Sequence, residues 1–389
     1  MSRILFIHDT YYAQDGDKTY AYGAFPYTLW QNRFLKHFDH ITIIGRKHTG
    51  PINKAEQSSG PNVNFLLLEN INTPLRRIFE SKRVKQQIKS AINNADAIIL
   101  RGPSEFGMIA AKIAKAQNKP IAIELSGCAF DHSFYHSSPI AKLYAPIKYL
   151  RARALTNRAD QILYVTNQFL QSRYPFSGHT THASNVEIPE PNKQTLKNRL
   201  TRINKPKDKI ILGIIGNYNN KLKGLHILLK SLNQIKNDLP PFELRILGHG
   251  DPQKINTHGL TNQIKFDPPV SGGKQVHDWL DQIDIYLQPS FHEGLPRALI
   301  EAMSRGAPAL ASDAGGTPEL LPVDCIHKRG NHKQFADHIR KALDQNWQTT
   351  QATQNFETAK QYSEPFLTQK RTTFYNRFAD LINERKSHG

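Results

Sequence analysis

Two carboxylates, Glu293 and Glu301, stand eight positions apart, and the segment Gly294-Leu295-Pro296-Arg297 between them reads as a turn running into a helix. A helix start presents unsatisfied N–H groups and the positive end of a dipole, which suits a phosphate. A carboxylate inside such a helix can hold the two hydroxyls of a ribose. One placed before the turn can face a group hung beyond the phosphates. These residue types in this order describe a site for a nucleotide-sugar. A second segment supplies charge. The run from Gly213 through Gly216, Asn217 and Lys221 to Lys223-Gly224 is a strand, a glycine-bearing loop and the approach to a helix. A lysine at the end of such a loop can neutralise a departing diphosphate.

These groups need a scaffold, and the apolar pattern supplies one. Short apolar runs alternate with longer amphipathic ones, the signature of a parallel sheet covered by helices. In the first half, strands are expected at 3–8, 40–44, 63–68, 97–100, 121–125 and 161–165, with helices at 26–37, 80–92 and 106–117. In the second half, strands are expected at 210–215, 243–247, 264–266, 283–287, 309–312 and 324–326. Helices there read at 225–235, 275–282, 297–305, 319–321 and 334–346. The polar, proline-marked stretch 189–207 reads as a linker, which divides the chain into 1–190 and 206–362 with a helical tail at 363–389. Two such units face each other across a cleft at the carboxyl ends of their strands.

At 389 residues the chain exceeds one ordinary core, so two domains are expected. Its 51 Lys+Arg against 33 Asp+Glu give a formal charge of +18, which favours anionic partners. The two cysteines, Cys128 and Cys325, allow neither a disulfide framework nor a Cys/His metal spacing. The apolar run that follows Met1-Ser2-Arg3 is too short for a signal peptide, and nowhere do about 18 apolar residues run uninterrupted. A cytoplasmic protein, soluble or peripheral on the inner face of the cell membrane, is expected.

The segment from Ile283 to Glu319 resembles the E-x7-E region of retaining glycosyltransferases with the GT-B fold, in particular the group often called family 4. The likeness takes in Pro289-Ser290 before the turn, Glu301-Ala302-Met303, Gly306 with Pro308, and Gly315-Gly316-Thr317-Pro318-Glu319. It is close in the C-terminal half and looser in the N-terminal half. There the long aromatic loop from His8 to Pro26 is similar to a subgroup found in bacterial surface-polysaccharide synthesis. The resemblance implies an α/β fold of two Rossmann-like domains, the N-terminal one for the acceptor and the C-terminal one for the nucleotide-sugar. It also implies a last helix crossing back to the N-terminal domain. It puts Glu293 and Lys223 at the catalytic centre, Glu301 on the donor ribose, and the amides of Gly294 and Leu295 on the pyrophosphate. Gly216, Asn217, Gly248 and Val270 would border the donor. The family's arginine after the first glycine is Asn217 here, so the resemblance leaves Lys223 as the cation on the diphosphate. Gly23, Arg101, Ser126, Asp131, His132 and Thr166 are the candidates on the acceptor side.

The implied reaction is transfer of a sugar, with retention, from a UDP-sugar to a glycan or lipid-linked acceptor of capsule, exopolysaccharide or lipopolysaccharide. No cofactor and no essential metal are expected; Asp15-Gly16-Asp17 matches D-x-D in form but reads as a turn. Two stretches, 75–89 and 139–158, set cations beside apolar residues at helical spacing, which fits helices lying on an anionic membrane. Two rivals remain: a GT-B nucleotide-sugar epimerase, and a basic nucleic-acid-binding protein. The second lacks zinc spacing, an RNP-type strand and a basic region joined to a zipper.

Overall fold

The computed structural model describes residues 2–22, 25–50, 52, 55–70 and 74–387. Two parallel sheets organise it. In the first, strands Val63–Leu68, His40–Lys47, Arg3–Asp15, Ala97–Gly102, Ile121–Leu125, Gln161–Tyr164 and His179–His182 lie side by side in that order. In the second the order is Ile264–Asp267, Phe242–Leu247, Ile210–Ile215, Ile285–Gln288, Ala309–Ser312 and Ile326–His327. Each half therefore has its first strand in the middle and reverses direction of winding there, which opens a crevice beyond the strand ends. The strands are near-continuous aliphatic runs because helices cover both faces. Ile4, Leu5, Phe6 and Ile7 are all buried, as are Ile285, Tyr286 and Leu287.

Several elements depart from the sequence reading. The first strand continues past His8 to Asp15 and turns back as Lys18–Ala21, pairing antiparallel with Tyr12 opposite Ala21. Asp15-Gly16-Asp17 is the tip of that hairpin, with Gly16 at φ +53° and both aspartates exposed. Aromatic and β-branched residues on either side of an Asp-Gly turn favour this hairpin over a loop. The stretch read as a linker holds a helix, Lys193–Asn204, capped by Asn192. It docks through Arg199, which donates to the carbonyls of Arg305 at 3.1 Å and Leu280 at 2.9 Å, and to that of Ile283. A polar composition hid this helix because its anchor is a buried arginine rather than an apolar stripe. Past Lys341 the chain forms a second helix, Gln345–Ala359, started by the Asp344 side chain accepting from the Trp347 amide at 2.7 Å.

The tail helix, Glu364–Ser387, crosses to the first sheet. Leu367, Phe374, Tyr375, Phe378 and Ile382 form its buried stripe. Tyr375 packs on Phe34 with ring centroids 5.1 Å apart, and Lys386 reaches Asp96 at 2.9 Å. Each such buried aromatic contributes on the order of 1.5–3 kcal/mol, enough to hold the tail across two domains.

Candidate active site

The loop after strand Ile210–Ile215 is shaped by glycines where neighbouring main chains touch. A Cβ on Gly248 would lie 2.2 Å from the Gly216 carbonyl oxygen, so the two strand-end loops fit only as glycines. The Asn217 side chain accepts from the Asn219 amide at 3.1 Å, which spends it on a turn of its own loop. Asn220 caps the short helix Lys221–Lys223 by accepting from the Leu222 amide at 3.0 Å. Gly224, at φ +74°, presses on Pro289, where a Cβ would come within 1.9 Å of the carbonyl oxygen. The Phe291 amide donates to the Leu222 carbonyl at 2.8 Å, tying this loop to the segment that carries the carboxylates.

That contact delivers Lys223 to Glu293. The lysine Nζ sits 2.7 Å from Glu293 Oε1. The same oxygen accepts from Ser290 Oγ at 2.7 Å and from Gln288 Nε2 at 3.0 Å. Behind them, Gln288 Oε1 accepts from the Tyr286 hydroxyl at 2.7 Å. Glu293 is thus held by three donors converging on one oxygen, with an 11 % exposed side chain against 31 % for Lys223. Ser290 and Gln288 were not singled out as site residues in the sequence. The available signal was two polar residues closing an otherwise apolar buried strand.

Glu301 lies on helix Arg297–Ser304, with Pro296 just outside the helix as its cap residue. Burial pushes the Glu301 carboxyl up to about 7, against the pull of Arg297 and with Glu187 adding to the rise. The buried Tyr286 hydroxyl is raised by desolvation and then by the negative charges of Glu301 and Glu293. Glu301 also lines a cavity of about 760 Å³ between the domains, with Arg297, Arg101, Arg33 and Glu187 around it. Gly294 sits tight against the other half: a Cβ there would meet the Ser126 carbonyl oxygen at 2.1 Å. Its own carbonyl accepts from the Gly316 amide at 2.7 Å. Leu295 is buried beside it, and Val270, on the loop after Ile264–Asp267, is exposed.

On the N-terminal side the candidates divide. Asp131 is buried and pairs with Arg329 across the cleft at 3.0 Å. Burial pulls the Arg329 guanidinium down, but Asp131 beside it wins and holds it above its ordinary value. His132 stacks edge-on to His292 with centroids 5.3 Å apart. Burial, then the nearby His132, lowers His292 to about 4, so its imidazole is neutral at physiological pH. Ser126 donates to the Gly102 carbonyl at 3.0 Å and lends its backbone to the contact with Gly294. Arg101 lines the cavity, 3.4 Å from Glu124 and with its guanidinium over Phe25. Thr166 is fully buried, and its hydroxyl accepts from the Leu170 amide at 2.9 Å. Gly23 lies outside the described residues.

Two contacts between the halves escaped the sequence reading. Arg329 is one. The other is Glu319, whose carboxylate accepts from the amides of Asn167, Gln168 and Phe169 at 2.6, 3.0 and 2.6 Å. It therefore caps a helix that belongs to the opposite domain. No local pattern announces a partner that lies 150 residues away in the chain.

Similarity to known proteins now bears on this geometry. The profile of the family described as Glycosyl transferases group 1 matches residues 209–345, the span that holds Lys223, Glu293 and Glu301. Protein CapJ of Staphylococcus aureus is 30% identical over 351 residues, covering 88% of this chain and 86% of CapJ. The chain belongs to the GT-B glycosyltransferases. Among solved structures, this glycosyltransferase is similar to Anabaena HepE in complex with UDP and glucose, with a TM-score of 0.64 over 98% of this chain and all of HepE. At 17% identity that likeness speaks for the fold alone. A shorter match, 35% identical over 113 residues, joins 26% of this chain to 28% of the putative colanic acid biosynthesis glycosyltransferase WcaL of Escherichia coli.

Proposed function

We propose that this glycosyltransferase moves a sugar, with retention of configuration, from a UDP-sugar to a glycan or lipid-linked acceptor in bacterial surface-polysaccharide synthesis. The observation that carries the reading is the Lys223–Glu293 pair at 2.7 Å, set one helix start away from Glu301. The donor lies along the C-terminal edge. Its ribose hydroxyls donate to Glu301, and its diphosphate rests on the amides of Gly294 and Leu295 beside Gly216 and Gly248. Val270 borders the base. As the bond between the anomeric carbon and the phosphate oxygen lengthens, positive charge grows on the sugar and negative charge on the diphosphate. Lys223 stabilises the diphosphate, while Glu293, oriented by Ser290 and Gln288, faces the sugar. The acceptor hydroxyl attacks from the face the diphosphate leaves, and the phosphate oxygen takes its proton. That retains the configuration.

Asp131, His132 and Arg101 stand on the acceptor side. His132 and His292 meet the cleft as neighbours, which provides uncharged hydrogen-bonding groups near the sugar. UDP as the carrier is supported by the ligands of HepE, and polysaccharide synthesis by the similarity to WcaL, a putative glycosyltransferase of colanic acid biosynthesis.

Calorimetry with UDP, GDP and ADP tests the donor half. UDP should bind and Glu301→Ala should weaken it; equal binding by wild type and variant would remove the ribose role. Slow donor hydrolysis followed by NMR tests retention. Early release of the anomer present in the donor is expected, and the opposite anomer would end that part of the reading.

A further inference from the structure

The two cation-rich stretches of the N-terminal half have opposite fates in the fold. In helix Pro74–Asn93, among the described side chains, the apolar residues Val84, Ile88 and Ile92 are buried against the domain, so the face they form has a partner already. Helix Pro139–Thr156 is different. Its outer side carries Ile140, Leu143, Ile147 and Leu150, exposed by 80, 84, 47 and 63 %. At about 100° per residue these four fall within a sector of about 80°. Arg151 and Lys148 stand on one flank of the stripe, and Lys142 and Arg153 on the other. Between Asp131 and Asp160 the sequence has no acidic residue. Of the neighbouring carboxylates, Glu105 is taken up by Arg151 at 3.0 Å.

The inner side of the same helix forms a wall of a second cavity, of about 1100 Å³, lined also by Asp9, Arg46, His132 and His136. Ile140 belongs both to the exposed stripe and to this lining. His132 belongs both to the lining and to the cleft contact with His292. The cavity therefore reaches from the apolar stripe to His132, whose ring meets His292 beside Glu293 in the sequence, with Arg46 and Lys148 as cations along it.

We infer that helix Pro139–Thr156 lies in the surface of an anionic bilayer through the Ile140–Leu150 stripe, and so presents the cavity to an acceptor anchored in that bilayer. This deepens the proposed transfer and rests on it for the acceptor, not for the docking. A stripe of aliphatic side chains edged by cations suits a membrane whose headgroups are negative. A second copy of the chain suits it poorly. Each copy carries +18, and the stripe's own cations would oppose one another. Four aliphatic side chains also fall short of the roughly 800 Å² per partner that a stable dimer buries.

The test is co-sedimentation with phosphatidylcholine vesicles, with and without phosphatidylglycerol, comparing wild type with the double variant Leu143→Glu, Leu150→Glu. Neither residue lines the cavity, and both are exposed, so folding and UDP affinity should be unchanged. Wild type should bind the phosphatidylglycerol vesicles and the variant at least about tenfold less. Failure of wild type to bind, or equal binding by the variant, overturns the docking. So does a wild-type dimer in sedimentation velocity that the variant converts to monomer. UDP calorimetry on the same samples separates the two ideas. UDP binding without vesicle binding sinks the docking alone; vesicle binding without UDP binding leaves it standing and sinks the donor reading.

Discussion

The two halves of the molecule share a sheet plan but finish their cleft edges differently. The C-terminal edge is closed over short distances in sequence. Glycines at 216, 224 and 248 let loops touch, and Glu293 is pinned by Gln288 at the end of the preceding strand and by Ser290 just after it. The N-terminal edge is built from longer excursions, a hairpin at 3–21 and two helices after Leu125, and it leaves aliphatic side chains outside. One edge is organised before any ligand arrives, as stabilisation of a developing charge requires. The other keeps a large cavity and an unpartnered face. A donor edge held by its own hydrogen bonds and an acceptor edge left open beside a cavity is what the difference teaches.

Removing the cation tests the donor edge most severely. Lys223→Ala should cut turnover by about 10²–10³-fold with the fold intact, the usual cost of one preorganised charge-stabilising donor. A rate near wild type in donor hydrolysis would take Lys223 off the diphosphate. Next in size is the seam between the halves. Gly294→Ala forces a Cβ to within 2.1 Å of the Ser126 carbonyl oxygen, so the halves must part. About a 10²-fold loss of turnover is expected from misplacing the reacting groups, larger than the loss of UDP affinity that comes from shifting the Gly294 amide. Equal losses in both would show the clash to be local to the donor edge.

A pH series sharpens the picture of the buried carboxylate. Glu301 is raised to about 7, so it is mostly protonated below that pH and ionised above it. Ribose hydroxyls donate to the ionised form, so UDP affinity should rise by about tenfold from pH 6 to pH 8. Binding should release a proton near neutrality, visible in calorimetry as a dependence on buffer ionisation enthalpy. Glu301→Gln should flatten that profile; an unchanged slope would place the titrating group elsewhere.

The contact between domains should cost less. Glu319→Ala removes three charge-assisted acceptances at 2.6–3.0 Å from a helix start and should lower stability by about 1–2 kcal/mol, read by calorimetric melting. The smallest effect expected is none. Chelator should leave transfer unchanged, and activity lost with EDTA and restored by manganese would bring Asp15 and Asp17 back into consideration.

Legibility followed chain distance. Glu293, Glu301 and Lys223 stood out because each belongs to a strand–loop–helix unit whose parts are adjacent in sequence. Most of the parallel strands and several helices could be placed within a few residues for the same reason, whereas Lys18–Ala21 and His179–His182 carry too little apolar pattern to stand out. The helix Lys193–Asn204 was missed because its anchor, Arg199, is buried by carbonyls of the second domain rather than by an apolar face. The turn at Asp15-Gly16-Asp17 is legible in the sequence, but the strands on either side of it read as loop, because their burial rests on Tyr12, which bonds His8 at 2.8 Å. Asn217 is instructive in the other direction. Its departure from the family pattern was visible, while its use as a turn residue needed coordinates.

The sequence by itself determined the two wound sheets, the glycine turns and the chemical types gathered at the donor edge. All of these follow from local periodicity and from backbone shapes that few residues can adopt. Only the tertiary structure decided that Lys223 meets Glu293 across 70 residues, that Glu319 and Arg329 close the cleft, and that one of two similar basic helices keeps its aliphatic face outside. Those outcomes depend on which surfaces the folded domains bury against each other, and a linear pattern records a residue's chemistry but not what comes to cover it.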